Sequence, residues 1–276
     1  MIGLLLTMSG TLLDEISLSI GKWKINNSQE NLYTYGFLNI FWAFIFFSVI
    51  VLINGNFVFS LASIPLFLIL AFLEILQTYS SLHAIAEADR SAFAFILTLT
   101  IPLVLTADYF LGYQLSTTTL IGVCFIVFGI IVLLINHGIN KKGIKYVIFS
   151  TLNASITISI YKYLITYYNS VEAQQILTNL VLMIVILALA YKAGENPFRL
   201  MFKKGYFIQS FLVGVAGVPL GFAYLFAPAS VIISVKRGSG LMWSIISGRA
   251  YFKESHIILK LISCAFVLIG FFMLAL

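Results

Sequence analysis

Apolar runs of about twenty residues, each closed by a short polar cluster, succeed one another along the whole chain. Ten such segments are read at 2–20, 32–53, 62–84, 88–111, 117–135, 144–163, 171–191, 206–226, 228–248 and 256–276. Turn-forming residues fall between them: Asn54-Gly55-Asn56, Gly112, His137-Gly138, Gly194-Glu195-Asn196-Pro197 and Gly205. Most runs are apolar around their full circumference, whereas a surface helix of a soluble domain keeps one polar face. A helix needs about 20 such residues to cross the hydrocarbon core of a bilayer. Within that core every backbone group must be satisfied inside the segment, so each run is expected to be helical. The predicted class is all-α: a polytopic membrane protein with ten transmembrane helices.

Composition agrees and excludes other classes. Of 276 residues, 61% are hydrophobic and only 9% are charged, against about 25% charged in a soluble domain. The net charge of +6 does not point to nucleic acid, because the basic residues sit in the connections between apolar runs. One set of connections carries Lys22, Lys24, Arg90, Lys141, Lys142, Lys145, Lys192, Arg199, Lys203, Lys204, Arg249 and Lys253, and Lys260 follows just inside the tenth run. The opposite set carries Lys162 alone. Cytoplasmic loops are enriched in Lys and Arg, so this asymmetry places both termini outside the cytoplasm. Residues 2–20 lack the basic start of a signal peptide, and Asp14 and Glu15 interrupt them. Cys124 and Cys264 lie in separate apolar runs, with no spacing that suggests a metal site or a disulfide framework. The expected location is the plasma (inner) membrane of a prokaryote, with the lipid bilayer as the main partner.

An internal repeat emerges when the sequence is shifted by 141 residues. Runs one to five then fall on runs six to ten; Ala86 and Ala88 meet Ala227 and Ala229, Phe110 meets Tyr251, and Gly129 meets Gly270. The expected organisation is two five-helix units, 1–138 and 142–276. Five crossings is an odd number, so the second unit enters the membrane inverted. Inverted repeats of this kind recur in secondary transporters, with the substrate site near the midplane between the halves.

The residues also resemble a known family. From Ala84 to Leu134 the chain has an alanine-rich entry, Pro102 in the fourth run, a turn at Gly112 and Gly129 late in the fifth. From Ser234 to Ser255 it carries Lys236, Arg237, Ser239, Gly248, Phe252 and Glu254. These positions resemble a signature of the EamA family in the drug/metabolite transporter superfamily. The resemblance implies five-plus-five helices over the whole chain and is nearly silent about substrate. Two features depart from it. Gly112-Tyr113-Gln114 stands where members often have glycine followed by glutamate, and members are usually described with cytoplasmic termini, opposite to the charge count.

Charges inside the apolar runs narrow the candidate site. A charged side chain at a bilayer centre costs about 2.5–3.5 kcal/mol on insertion scales, so its presence calls for pairing or function. Five residues qualify: Asp14 and Glu15 in the first run, Glu74 in the third, Lys236 and Arg237 in the ninth. With 1.5 Å rise per residue, Asp14 and Glu74 lie roughly 18 Å from one membrane face and Lys236 and Arg237 roughly 12 Å from it. The group can therefore meet, either as ion pairs that fix packing or as a substrate- or ion-binding centre. Polar stripes accompany them: Thr7, Thr11, Asp14 and Ser17; Glu74, Gln77 and Ser81; and Thr151, Ser155, Ser159 and Lys162. They suggest that runs one, three, six and nine enclose a polar interior. Candidate binding residues are Asp14, Glu15, Glu74, Gln77, Lys236 and Arg237.

His83, His137 and His256 stand near run ends, as interfacial residues. Gly214, Gly217 and Gly221 line one face of the eighth run, suited to close helix contact. There is no P-loop, HExxH or nucleophile elbow, so no enzyme activity and no cofactor are expected. The reading is a secondary transporter of a small organic metabolite, with a proton as a possible coupling ion. The alternative is a flippase for a lipid-linked group, or a non-transporting membrane subunit.

Overall fold

A computed structural model describes residues 2–26, 32–110, 117–135, 142–252 and 256–275. Gly112-Tyr113-Gln114, His137-Gly138, Lys141, Lys253 and Glu254 lie outside the described residues. Among those described, every regular element is helical: α1 (Ile2–Asn26), α2 (Leu32–Asn54), α3 (Ile64–Glu87), α4 (Arg90–Leu97), α5 (Thr100–Phe110), α6 (Thr117–Ile135), α7 (Ile144–Tyr167), α8 (Val171–Lys192), α9 (Pro197–Leu200), α10 (Lys204–Ala223), α11 (Ala229–Phe252) and α12 (Ile257–Ala275), with a short 3-10 turn at Leu61–Ser63.

Five stretches are long and apolar enough to cross a bilayer by length and composition: Ile2–Trp23, Leu32–Asn54, Leu61–Glu87, Val171–Lys192 and Lys204–Ala223. The chain is an integral membrane protein. Large apolar side chains such as Leu5, Leu52, Leu68, Phe72, Ile184 and Phe272 point away from the bundle, as expected where the surrounding solvent is lipid. Two other long helices are more polar for a visible reason. In α7, Thr151, Asn153, Ser155 and Thr157 are buried against other helices, and α11 carries Lys236, Arg237 and Arg249.

Several features differ from the sequence reading; α7 and α11 each run four residues past the expected end, to Tyr167 and Phe252. Helix α1 runs on to Asn26, so Lys22 and Lys24 belong to its last turns and not to a loop; Lys22 Nζ reaches back to donate to the carbonyl of Ala88. Gly205 falls inside the first turn of α10. The fourth run, expected as one helix, is interrupted at Thr98-Leu99. Pro102 has no N–H to offer the Thr98 carbonyl four residues back. The chain tightens there into three-residue turns, Thr98 N to Phe95 O, Leu99 N to Ile96 O and Ile101 N to Thr98 O. The Thr98 and Thr100 hydroxyls donate to the Phe95 and Leu97 carbonyls at 2.6 and 2.7 Å, so the break leaves few orphaned groups.

Between lipid-embedded helices apolar burial gives little drive, and close packing through small residues with interhelical hydrogen bonds takes over. Helix α6 packs along α12, α1 along α10, α3 along α7, and α2 along both α8 and α10. A Cβ on Gly129 would lie 2.8 Å from the Ser263 carbonyl oxygen, and one on Gly270 would lie 2.6 Å from that of Gly122. Gly214 serves α2–α10 likewise, since a Cβ there would meet Trp42 at 2.7 Å. The expected small-residue contact on this helix therefore holds at Gly214 and at Gly221, where a Cβ would stand 3.0 Å from Phe47, whereas at Gly217 the nearest atom is Ala43 Cβ at 3.9 Å.

Hydrogen bonds identify the two ends of the bundle. At one, Glu195 Oε2 accepts from both the amide and the hydroxyl of Thr34 at 2.7 and 2.8 Å, joining the connection after α8 to the start of α2. At the other, Ser170 N donates to Val58 O at 2.9 Å and Ser60 N to Asn169 Oδ1 at 3.0 Å. The first end carries Lys145, Lys192, Lys203 and Lys204 and is called the lysine-rich end; Lys162 belongs to the second, where it donates to the Tyr224 carbonyl.

Candidate functional site

The five intramembrane charges converge. Lys236 on α11 places Nζ 3.8 Å from Asp14 Oδ2 on α1, with about a quarter of each side chain still accessible. The next residue, Arg237, donates from Nε to Thr100 Oγ1 at 3.2 Å, engaging the first turn after the helix break. Thr100 went unnoticed in the sequence because a lone threonine in an apolar run carries no signal; Pro102 two residues on was the available clue.

Asp14 and Lys236 line two cavities at once. One, of about 310 Å³, extends toward the Lys162 end and is walled by Glu74, Thr157, Tyr161, Gln175 and Asn179 with the face of α10 from Val213 to Tyr224. The other, of about 230 Å³, extends toward the lysine-rich end and is walled by Glu15, Gln77, Ser81, Ser150, Arg237 and the apolar faces of α4 and α11. Helix α3 runs past both: Leu70 and Glu74 face the first, Gln77, Ser81 and Ile85 the second. The Asp14–Lys236 pair thus stands where the two spaces approach each other.

The polar linings differ in how far they are already engaged. Gln77 is tied into the α3–α7 contact: its Nε2 donates to Ser150 Oγ at 2.6 Å and Ser81 Oγ at 3.2 Å, and its Oε1 accepts from Asn153 at 3.0 Å. Its first role is therefore to hold two helices together, although it remains on the cavity wall. Asn179 is the converse case. It is buried, lines the larger cavity, and its Nδ2 has no hydrogen-bond partner among the described residues. A buried donor left unmatched costs about 1–3 kcal/mol; Nδ2 is itself inaccessible, so other atoms of the side chain line the cavity.

The predicted stripes are partly redistributed. Thr11 and Asp14 face the cavities, but Ser17 turns to α10, donating to Gln209 O at 2.8 Å and accepting from Gln209 Nε2 at 2.9 Å. On α7 the lining face is Ser150, Thr157 and Tyr161. Ser155 and Ser159 instead bond carbonyls of their own helix, as isolated hydroxyls in lipid-embedded helices do. Helices α8 and α10 contribute Gln175, Thr178, Asn179 and Gly217, none of which the charge-based search singled out. His83 lies among Tyr33, Tyr79 and Tyr146, with Nδ1 3.9 Å from Glu87. His256 is exposed and immediately precedes α12, and His137 lies outside the described residues.

No family model matches this chain, and no curated protein matches it. The functional reading therefore rests on the geometry and on the motif resemblance in the sequence.

Proposed function

We propose that this protein is a secondary transporter of a small organic solute, built as ten crossings in two inverted five-helix repeats of EamA type. The observation that carries the reading is the Asp14–Lys236 pair between two polar cavities that extend toward opposite ends of the bundle. Such an arrangement suits alternating access, in which one central site is exposed to each side in turn. Rocking of one repeat against the other would open one cavity and close its counterpart, with the pair remaking its contacts in each state.

The pairing of helices supports the inverted repeat. Under the shift of 141 residues, α1–α10 maps onto α7–α3, α1–α11 onto α7 with α4 and α5, and both α2–α8 and α6–α12 onto themselves. The glycine contacts follow the same exchange: Gly129 meets Ser263, Gly270 meets Gly122, and each pair is the other shifted by 141. The halves are not identical, because only the first carries the break before Pro102.

In this reading Asp14, Glu15 and Glu74 bind a cationic group or a coupling proton. Lys236 and Arg237 hold a carboxylate or phosphate, or lock one state by pairing. A thermal-shift screen of the purified protein against metabolites identifies a solute, because ligands that bind the native state raise its apparent stability. Uptake of that solute into proteoliposomes under an imposed pH gradient is then compared for wild type and Glu74→Gln. The variant is expected to insert normally and to lose transport or its dependence on the gradient. Wild-type uptake with unchanged gradient dependence would remove Glu74 from the mechanism.

A further inference from the structure

The connection between α8 and α10, residues 193–203, is pinned at the lysine-rich end. Gly194, at φ 77°, lets the chain turn back after α8, and Glu195 N donates to Ala190 O at 2.8 Å. The Glu195 carboxylate is turned inward onto Thr34, and Met201 is buried. Phe198 packs edge-on against Phe37 of α2, with ring centroids 5.2 Å apart. Outward, this segment presents two kinds of side chain. Phe202 is 78% exposed and Phe198 47%, and each is followed directly by an exposed cation, Lys203 and Arg199. Lys204 comes next and Lys192 ends α8, both exposed. Among the described residues none of these four cations takes part in an ion pair. The one acidic residue of the segment is the inward-facing Glu195.

Under the shift of 141 residues, Phe198 falls on Phe57 and Phe202 on Leu61, in the connection between α2 and α3 at the opposite end. Those two residues are 46% and 78% exposed, close to their counterparts. Both connections therefore project an apolar pair where the bundle meets the membrane boundary, and such residues seat at the border of headgroups and acyl chains. The cations are not shared: Lys192, Arg199, Lys203 and Lys204 fall on Val51, Val58, Ala62 and Ser63. Seating in a bilayer accounts for the apolar pairs and leaves four charges at one end without a role. We propose that the α8–α10 connection is a binding site for an anionic phospholipid of the surrounding leaflet. Lys192, Arg199, Lys203 and Lys204 hold its phosphodiester headgroup, and Phe198 and Phe202 lie against its acyl chains. The planar fork of arginine suits two phosphate oxygens at once, whereas the lysines act as point charges. A backbone already fixed by Glu195, Phe198 and Met201 lowers the ordering cost of binding. The site depends on the membrane assignment alone and not on what the protein carries.

Native mass spectrometry of the full chain in dodecyl maltoside counts bound lipids during titration with dioleoylphosphatidylglycerol and, separately, dioleoylphosphatidylcholine. The first phosphatidylglycerol is expected to bind about tenfold or more tightly than the first phosphatidylcholine, since each basic residue near an anionic surface is worth about fivefold in affinity. Arg199→Gln combined with Lys203→Gln should erase most of that preference. Lys145→Gln combined with Arg249→Gln removes as much exposed charge from the same end, outside the connection, and should retain it. Phe202→Ser should weaken the first phosphatidylglycerol, whereas Leu61→Ser at the opposite end should not. Equal affinity for the two lipids on wild type overturns the proposal. Equal losses in the two double variants also overturn it, because the preference would then belong to the whole basic end. So does displacement of the bound lipid by equimolar glycerol 3-phosphate, which would make the segment a site for soluble phosphate esters. If the Arg199 and Lys203 double variant is not monodisperse, Lys203→Gln alone replaces it, with an expected loss of about fivefold; wild-type affinity in that variant overturns the site. Every readout is lipid binding, so failure here leaves the transport reading to the Glu74→Gln experiment.

Discussion

Lys236 Nζ approaches Asp14 Oδ2 to 3.8 Å at the one place where the walls of two polar cavities meet. Two helices from different halves of the sequence supply the partners, so the pair joins the proposed repeats as well as the cavities. An ion pair in such a position has two separable consequences, for stability and for transport.

Removing one partner should leave the other charge inside the membrane without compensation. Fully buried pairs lose about 3–5 kcal/mol on such truncation; here both side chains keep some access to cavity space, so a loss of about 2 kcal/mol is expected for Asp14→Asn or Lys236→Met. The double variant should recover most of that loss and still fail to transport. Thermal unfolding in detergent, set beside proteoliposome uptake of the stabilising solute, checks both parts. A double variant that transports at the wild-type rate would reduce the pair to a packing element.

How much of this was legible beforehand depends on the kind of signal. The charges at Asp14, Glu15, Glu74, Lys236 and Arg237 announced themselves because lipid makes them costly, and the fold brings all five to the same two cavities. Helix positions were legible because long apolar runs have few other structures available to them. Neutral polar residues were harder. Ser17 and Ser155 look alike on a helical stripe, yet one bonds α10 and the other its own helix. Asn179 and Thr100 gave no sign because their roles come from neighbours distant in sequence. The break at Thr98-Leu99 was half legible: a proline inside an apolar run removes a rung of the helical ladder, while the threonine hydroxyls that make a full interruption tolerable became visible only in three dimensions.

That break is the next testable element. Pro102→Ala restores an N–H for the Thr98 carbonyl and permits a continuous helix across Thr98-Leu99; Pro102 lies in the first turn of α5, where proline itself costs little. The variant is expected to be at least as stable as wild type. A straightened helix would, however, carry Thr100 away from Arg237, now 3.2 Å from it. Initial transport rates should fall about tenfold, in line with about 1.4 kcal/mol on the barrier. Unchanged rates with raised stability would mean that the break is tolerated and not used.

The crossing of α6 and α12 offers a test of the repeat that needs no substrate. A methyl group at Gly129 or at Gly270 would strike a backbone carbonyl at 2.8 or 2.6 Å, and backbone cannot rotate away as a side chain does. Gly129→Ala and Gly270→Ala should each destabilise by about 1–3 kcal/mol, the range for overpacking. Because the two contacts are related by exchange of the halves, the losses should be similar. Gly217→Ala, with its nearest neighbour 3.9 Å away, serves as the control and should change stability little. Detergent unfolding curves for the three variants settle the comparison; a large loss at Gly217 with none at Gly129 would contradict the packing described.

Orientation divides the two lines of sequence reasoning most sharply. Exposed Lys145, Lys192, Arg199, Lys203 and Lys204 crowd one end of the bundle, and cytoplasmic loops are the ones enriched in such residues. The EamA resemblance implies the reverse. The connections at Asn54 and Asn196 stand at opposite ends, are exposed, and lie beside turns that tolerate a small substitution. In a background lacking Cys124 and Cys264, single Asn54→Cys and Asn196→Cys variants are treated in intact cells with a membrane-impermeant maleimide. Positive-inside placement predicts rapid labelling at position 54 and labelling at position 196 only after the membrane is opened. The reverse pattern would put the termini in the cytoplasm and the Lys162 end inside with them. It would also mean that the cavity lined by Glu74 and Asn179 faces the cell interior, which reverses the direction in which a coupling proton would first meet the site.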